Sequence, residues 1–520
     1  MTFTLSVLST TDLHGSVTSK RYSDNSEGNF GLAKIASLIK KERSKNPTLL
    51  IDNGDTIQGN ALTYYDANIG GHNDQTPIAK VLNELNYDAC VIGNHEFNYG
   101  LDYLKRYMTS LQCPTLSCNI KKKTGDFFAS PYIIKNMDDG PKIAIIGATT
   151  HYIPNWEKPA TIESLTFLDA YQSVKDTAKY IKGEHNVDCM IVAYHGGIEK
   201  DLKTGEPLAP LTGENQGYKM LEEIDEIDIL LTGHQHRILN DDDAFGKAVT
   251  QGGSNGEVLS KIEIEFEKIN DKWMLKDKST CLMKCDHETI DQGIINLITP
   301  LEEKTQVWLD QTIGQVTNGE LLINDPFKAR LDKHKIVTLL NQIQMEISGA
   351  DLSLVALGNY IKGFPKNITM RDVISTYIYP NTLCVLEVSG ASLKEALEKT
   401  SEYFTVHNGE IKVSDAYLYP KPQHYNYDLY DGITYTIDLN EPVGRRIKDL
   451  TYKNHSLDMD QMYQVVMNNY RASGGGDYTM FKESNLIKEI NTDMVEVITN
   501  YIRKHKQIDV PDIKNINIIY

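Results

Sequence analysis

Five short apolar runs in the first half of the sequence each stop on a cluster of carboxylate, carboxamide and imidazole side chains. No other feature constrains the chain as much. The runs are FTLSVLS, which stops at TTDLHG; TLLID, at NGDTIQGN; DACVI, at GNHEFNYG; VDCMIVAYHGG; and IDILLTGHQH. Runs of this length and composition read as strands covered on both faces. Amphipathic segments separate them. LAKIASLIKKER places Leu32, Ile35, Leu38 and Ile39 on one helical face, and PIAKVLNELN opens on Pro77, whose fixed φ suits a first helical residue. Strands alternating with helices predict an α/β fold with parallel strands. In such sheets ligands bind beyond the carboxyl ends of the strands, where these polar clusters fall. KIAIIGATT reads as a further strand of this kind, and SKIEIEFEKI alternates strictly, as a half-exposed antiparallel strand does.

The chain has 520 residues, more than one hydrophobic core usually supports, so two domains are expected. The texture changes near Asp286. DQGIINLITPLEEKTQVWLDQ reads as a helical segment interrupted at Pro300, and KHKIVTLLNQIQMEISGADLSLVAL begins a new helix and strand. The predicted division is a first domain over 1–285, a linker over 286–326 and a second α/β domain over 327–520.

The polar residues at the five strand ends are Asp12 and His14; Asp55; Asn94 and His95; His195; and His234 with His236. Each alone has an ordinary explanation as a turn, a cap or a loop histidine. Together they form a donor set of oxygen and imidazole without thiolate, which suits Mn²⁺ or Zn²⁺ first and Fe²⁺, Co²⁺ or Mg²⁺ as alternatives. Within TDLHG and GHQH, alternate residues of an extended segment point the same way, so each pair is expected to reach one centre. A shared carboxylate, Asp55, can bridge two ions. Two ions about 3.5–4 Å apart suit displacement at phosphorus.

A formal charge of −18 argues against a nucleic-acid polymer or an anionic membrane surface as the partner, though not against a small phosphorylated molecule. No apolar run reaches the roughly 18 residues of a membrane span, and the start MTFTLSVLSTTDLHG lacks the pattern of a signal peptide. Seven scattered cysteines fit free thiols in a reducing compartment, so the expectation is a cytoplasmic protein. Cys281, Cys285 and His287 lack a second pair and read as structural rather than as a zinc ligand set. The oligomeric state is not legible.

In order along the chain, DLH, GD, GNHE, HGG and GHQH resemble the successive motifs of the calcineurin-like metallophosphoesterases. QGNAL and the second half narrow the resemblance to the 5′-nucleotidase and 2′,3′-cyclic-nucleotide phosphodiesterase family, over essentially the whole chain. The resemblance implies a four-layer α-β-β-α sandwich followed by a nucleoside-binding α/β domain. It implies that Asp12, His14, Asp55 and His236 hold one divalent metal ion and that Asp55, Asn94, His195 and His234 hold the other. His95 would face the phosphoryl group as a catalytic residue, and Glu96 would be a structural partner. Many family members carry Asp where this chain has Asn98. Asn98 brings no charge to His95 but can fix its ring by a hydrogen bond. GNHEFNYGLDYL and YIYPNTL look like the branch that acts on 2′,3′-cyclic and 3′-nucleotides. YNYDLYDGITYTIDL and NNYRASGGGDY resemble base-clamp segments, which puts Tyr427 and Tyr470 on either side of a base and Asp477 on a ribose hydroxyl, with Asn359 as a further substrate contact. The nearest alternatives are a 5′-nucleotidase or a broader nucleotide or sugar-diphosphate hydrolase. A nucleotide-binding protein that has lost catalysis is disfavoured, because every expected ligand is present.

Overall fold

The computed structural model describes residues 1–520 other than 71–74, 209–210, 378–380, 420 and 491. It divides into two compact units, Met1–Gln306 and Val307–Tyr520.

Unit 1 holds two six-stranded sheets. The first contains β1 (Thr2–Thr10), β2 (Thr48–Asp52), β3 (Ala89–Val91), β4 (Thr115–Leu116), β11 (Val258–Ile269) and β12 (Lys272–Lys284), in the order β12-β11-β1-β2-β3-β4. The second contains β5 (Tyr132–Asn136), β6 (Lys142–Thr149), β7 (Cys189–His195), β8 (Ile229–Thr232), β9 (Ile238–Ala244) and β10 (Lys247–Gly252), in the order β9-β10-β8-β7-β6-β5. β1 to β4 run parallel, as do β6, β7, β8 and β10. The expected antiparallel strand is β11, which pairs with β1 and buries Ile262, Ile264 and Phe266 along one face.

Alternation along the central strands explains the layering. Ile143 and Ile145 of β6 join Leu5, Val7, Leu49, Ile51, Ile191 and Ile229 in a core between the sheets. Ala144 and Ile146 face the other way, against the helix Ala170–Glu184. Outside the first sheet, Leu8, Leu50 and Cys90 pack against the helices Leu32–Arg43, Pro77–Glu84 and Gly100–Ser110. Helix, sheet, sheet and helix make four layers, the predicted sandwich. Pro77 stands at the start of its helix, and Thr76 caps it by accepting from Ala79 N–H. Cys90 and Cys113 meet as thiols, Sγ to Sγ 3.5 Å, and all seven cysteines are free.

The expected linker is different in the structure. Gln292–Leu309 is one uninterrupted helix that runs through Pro300 and crosses the division between the units. Ile294 and Ile298 are each only 1% exposed in the core of unit 1, and that burial outweighs the one hydrogen bond the proline removes.

Unit 2 is built on a five-stranded sheet of β13 (Leu352–Ala356), β14 (Leu383–Ser389), β15 (Asp428–Asp431), β16 (Met462–Asn468) and β17 (Asn485–Ile490), ordered β15-β13-β16-β14-β17. Three of the seven residues of YIYPNTL, 378–380, lie outside the described residues. Among the described residues no helix is long and apolar enough to cross a membrane.

Candidate metal and phosphoester site in unit 1

The carboxyl ends of β1, β2, β3, β7 and β8 bring together the residues that the sequence singled out. Two groups emerge: Asp12, His14 and His236, and Asp55, His195 and His234. Within each group the candidate ligand atoms all lie within 4.8 Å of one another. His14 Nε2 and His236 Nε2 are 3.0 Å apart, and His236 Nε2 is 3.4 Å from Asp12 Oδ1. Asn94 Oδ1 sits 3.1 Å from His195 Nε2 and 2.9 Å from His234 Nδ1, which puts it with the second group.

The backbone that achieves this is not the extended chain expected. Asp12, His14, Asp55, His234 and His236 have φ of 51°, 47°, 55°, 67° and 55°, all in the left-handed region. Each such non-glycine residue costs about 1–2 kcal/mol, and strain of this kind gathers where function requires a fixed geometry. The loops after β1 and β2 hold it by pairing: Asp12, His14 and Gly15 donate their N–H to the carbonyls of Gly54, Asp55 and Thr56, each at 2.9 Å. The GHQH pair accordingly splits, with His234 in one group and His236 in the other.

Further bonds fix the rings. His14 Nδ1 bonds the Gln58 carbonyl at 2.9 Å and His195 Nδ1 the Asn53 carbonyl at 2.6 Å, so both present Nε2 to the centre. His234 Nε2 is held by Glu214 at 2.7 Å, which leaves Nδ1 facing inward, and Trp156 stacks on the His234 ring at 5.4 Å. Glu96 is buried and accepts from the backbone N–H of Gly93, Asp55, Thr56 and Ile57, tying two site loops together. Gly93 must be glycine here, since a Cβ would fall 2.3 Å from Asp55 Oδ1.

The electrostatics fit cations. Burial pushes the Asp12 carboxyl up, but the hydrogen bond and charge of His236 outweigh it and hold Asp12 at about 2. Burial, followed by the charge of His236, lowers His14 to about 4, so it stands neutral with a lone pair. His195 is pushed up to about 10: burial opposes its charge, and the adjacent Asp55 carboxylate prevails. Asp55 Oδ2 is buried, 3.1 Å from His195 Nε2, yet accepts no aligned hydrogen bond. A buried carboxylate oxygen with an open lone pair, facing imidazoles whose other nitrogens are already bonded, fits divalent metal ions well.

His95 stands at the rim, its side chain 29% exposed. Its Nε2 is 4.0 Å from Asp55 Oδ2, its backbone N–H donates to Asp55 Oδ1, and its Nδ1 bonds Asn98 Oδ1 at 2.6 Å.

Of the substrate residues expected in unit 2, Tyr427 and Asn359 need correction. Tyr427 is 0% exposed, stacked on Tyr403 at 4.5 Å with Phe404 at its edge, so neither face is open to a base. It leads into β15, whose four residues are all buried. The accessible tyrosine of that segment is Tyr425, whose ring meets Tyr470 edge-on at 6.4 Å. The buried pair Arg471–Asp428, at 2.7 Å, locks the two segments together, and Arg471 also donates to the carbonyls of Tyr425 and Gly475. Asn359 uses both ends of its carboxamide on the segment before Tyr425, donating to the Pro422 carbonyl and accepting from His424 N–H. It positions that loop. Asp477 is exposed, with Lys399 Nζ 3.8 Å away.

Three neighbours of the site carry no motif of their own. Trp156 and Glu157 follow β6, whose end lies beside that of β7, so the strand-end rule had the means to find them. Glu214 comes from a loop that the sequence does not mark.

Comparison with known proteins finds relatives over both halves of the chain. The sequence profile of the calcineurin-like phosphoesterases matches residues 5–237, and that of the 5′-nucleotidase C-terminal domain matches residues 312–483. A crystal structure of a candidate 5′-nucleotidase from Staphylococcus aureus, solved with α-ketoglutarate, is 34% identical, covers 99% of each chain and superposes with a TM-score of 0.89. The 2′,3′-cyclic-nucleotide 2′-phosphodiesterase/3′-nucleotidase of Salmonella typhimurium is 28% identical over 91% of this chain and 82% of its own. The trifunctional nucleotide phosphoesterase YfkN of Bacillus subtilis is also 28% identical, over 97% of this chain. This chain spans only 38% of that much longer relative.

Proposed function

The chain belongs to the calcineurin-like phosphoesterases that carry a 5′-nucleotidase C-terminal domain, a family of phosphoester hydrolases, and from that premise we propose that it hydrolyses 2′,3′-cyclic nucleotides and 3′-nucleotides to nucleoside and phosphate. The observation that carries this reading is the convergence of five strand-end loops into two adjoining groups of oxygen and imidazole donors, one of them holding the open oxygen of Asp55. Asp12, His14, Asp55 and His236 would hold one divalent ion, and Asp55, Asn94, His195 and His234 the other, with Mn²⁺ or Zn²⁺ suiting the donors best. When bound, the ions supply charge neutralisation at the phosphoryl oxygens and activation of the attacking water.

The chain's own residues do the rest. Asp12 and Asp55 stay ionised under the influence of the imidazoles, and the carbonyls of Gln58 and Asn53 keep His14 and His195 turned inward. His95 stands where it can assist the departing ribose oxygen, its ring fixed by Asn98. Asn98 and the names of the Salmonella relative and its kin support the 2′,3′-cyclic and 3′ branch. The likeness to the Staphylococcus aureus protein supports a second reading, hydrolysis of 5′-nucleotides at the same metal site. The acidic charge supports a mononucleotide rather than a polymer, and seven free cysteines support the cytoplasm.

For the base, Tyr425 with Tyr470 is the aromatic pair. A base stacked on one ring gains about 1–3 kcal/mol, so Tyr425→Ala should raise KM roughly 5- to 100-fold. Tyr427→Leu, which removes the ring, should cost stability but leave KM unchanged in the folded protein, and a comparison of the two variants decides between the positions.

The metal reading is tested with p-nitrophenyl phosphate. Protein stripped by EDTA should be inactive, regain turnover with Mn²⁺ or Zn²⁺, and bind two ions per chain by mass spectrometry. Full activity in EDTA would contradict it.

A further inference from the structure

Asn98 leaves a difficulty in the site. A carboxamide can point either its oxygen or its NH₂ at a histidine, and only the oxygen obliges the ring to carry its proton on Nδ1. The orientation of Asn98 is set from its far side. Glu157 Oε2 accepts from Asn98 Nδ2 at 3.0 Å, and Asn98 Oδ1 meets His95 Nδ1 at 2.6 Å. A carboxylate has only lone pairs to offer, so Asn98 must present NH₂ to Glu157 and therefore oxygen to His95.

Glu157 is itself held. Its other oxygen accepts from Lys158 N–H at 3.0 Å, and its own N–H donates to the Ile153 carbonyl through the short helical turn Ile153–Asn155. The preceding residue, Trp156, stacks on His234. One segment after β6 thus braces a histidine of each role, one in the metal group and one facing the substrate.

We propose that Glu157 is a positioning residue for His95, acting through Asn98 to fix the tautomer and direction of the ring. This rests on the phosphoesterase reading for its effect on turnover, but not for its effect on the ring. Here the task is divided between a neutral amide and a carboxylate behind it.

The test has two arms. In the first, ring-¹⁵N-histidine spectra of the full chain, with the His95 signals assigned by their loss in His95→Gln, should show the Nδ1–H tautomer in the wild type. Glu157→Ala should give a mixture of tautomers. In the second, turnover with Mn²⁺ is compared for 3′-AMP, whose ribose oxygen needs help to leave, and p-nitrophenyl phosphate, whose phenolate does not. Glu157→Ala should lower kcat about tenfold or more on 3′-AMP and less than about threefold on p-nitrophenyl phosphate, with KM and bound metal unchanged. Asn98→Asp placed in Glu157→Ala should restore the tautomer and most of the kcat, because a carboxylate at 98 orients Nδ1–H unaided.

Unchanged spectra in Glu157→Ala would overturn the proposal. So would equal losses on both esters accompanied by lost metal, since that pattern marks general damage to the fold. A wild type inactive on every ester would refute the functional reading, and the spectra would then decide the positioning role alone.

Discussion

Asp55→Asn should lower turnover by at least about 10³-fold and cut the bound metal, while the protein stays folded. Asn tolerates the left-handed backbone at this position about as well as Asp, so the φ of 55° survives the change. The charge and one acceptor do not. Oδ1 of Asp55 receives the His95 backbone N–H at 2.7 Å, and the buried Oδ2 lies 3.1 Å from His195 Nε2 and 4.0 Å from His95 Nε2. An amide at 55 presents either one oxygen with no charge or an NH₂ turned against imidazole nitrogens. If Asp55 bridges the two ions as proposed, both ligand groups lose a shared anion. Steady-state kinetics with metal analysis reads the effect. A variant retaining a tenth of the activity with two bound ions would show that Asp55 is not shared.

Glu96→Ala should lower the stability of unit 1 by about 5 kcal/mol in urea unfolding. The carboxylate is 1% exposed and accepts four backbone N–H groups: those of Asp55, Thr56 and Ile57 after β2, and of Gly93 after β3. Each buried donor left unpaired costs about 1–3 kcal/mol. Glu96→Gln should lose nearly as much, because one end of the amide donates where an acceptor is required. Both variants should also lose activity, since the loop that Glu96 braces carries Asp55. A loss under about 1 kcal/mol would mean that water replaces the carboxylate without penalty.

The metal groups were legible in the sequence for a physical reason. Parallel strands must be apolar on both faces, so polar residues can enter only where a strand ends, and the ligands therefore stand out against the run before them. The bends that make them converge were not legible. Nothing in TDLHG or GHQH distinguishes extended backbone from the left-handed residues at Asp12, His14, His234 and His236, and Asp or His at positive φ is uncommon enough to be a poor first guess.

The burial of Tyr427 was not legible because YNYDLYDG offers several tyrosines, and alternation reveals which are buried only within a strand that has one open face. Tyr425 and Tyr427 stand in and just after a short helical turn ahead of β15, where no strand alternation applies, so they look alike until packing separates them. Pro300 signalled a break that burial of Ile294 and Ile298 overrode. Glu214 acts through a hydrogen bond to His234 from a loop with no local pattern, whereas Glu157, which bonds Asn98, lies beyond the end of β6, where the strand-end rule applies.

The central claim, that this chain opens 2′,3′-cyclic nucleotides and then releases phosphate from the 3′-nucleotide, is tested most directly by product release. The substrates are 2′,3′-cAMP, 3′-AMP and 5′-AMP, each with Mn²⁺ and with EDTA, and His95→Ala serves as the control. The account predicts turnover of the first two substrates in preference to 5′-AMP, abolished by EDTA and strongly reduced in His95→Ala. Preference for 5′-AMP would contradict the assignment while leaving the metal site standing, and no turnover of any of the three with Mn²⁺ would contradict both.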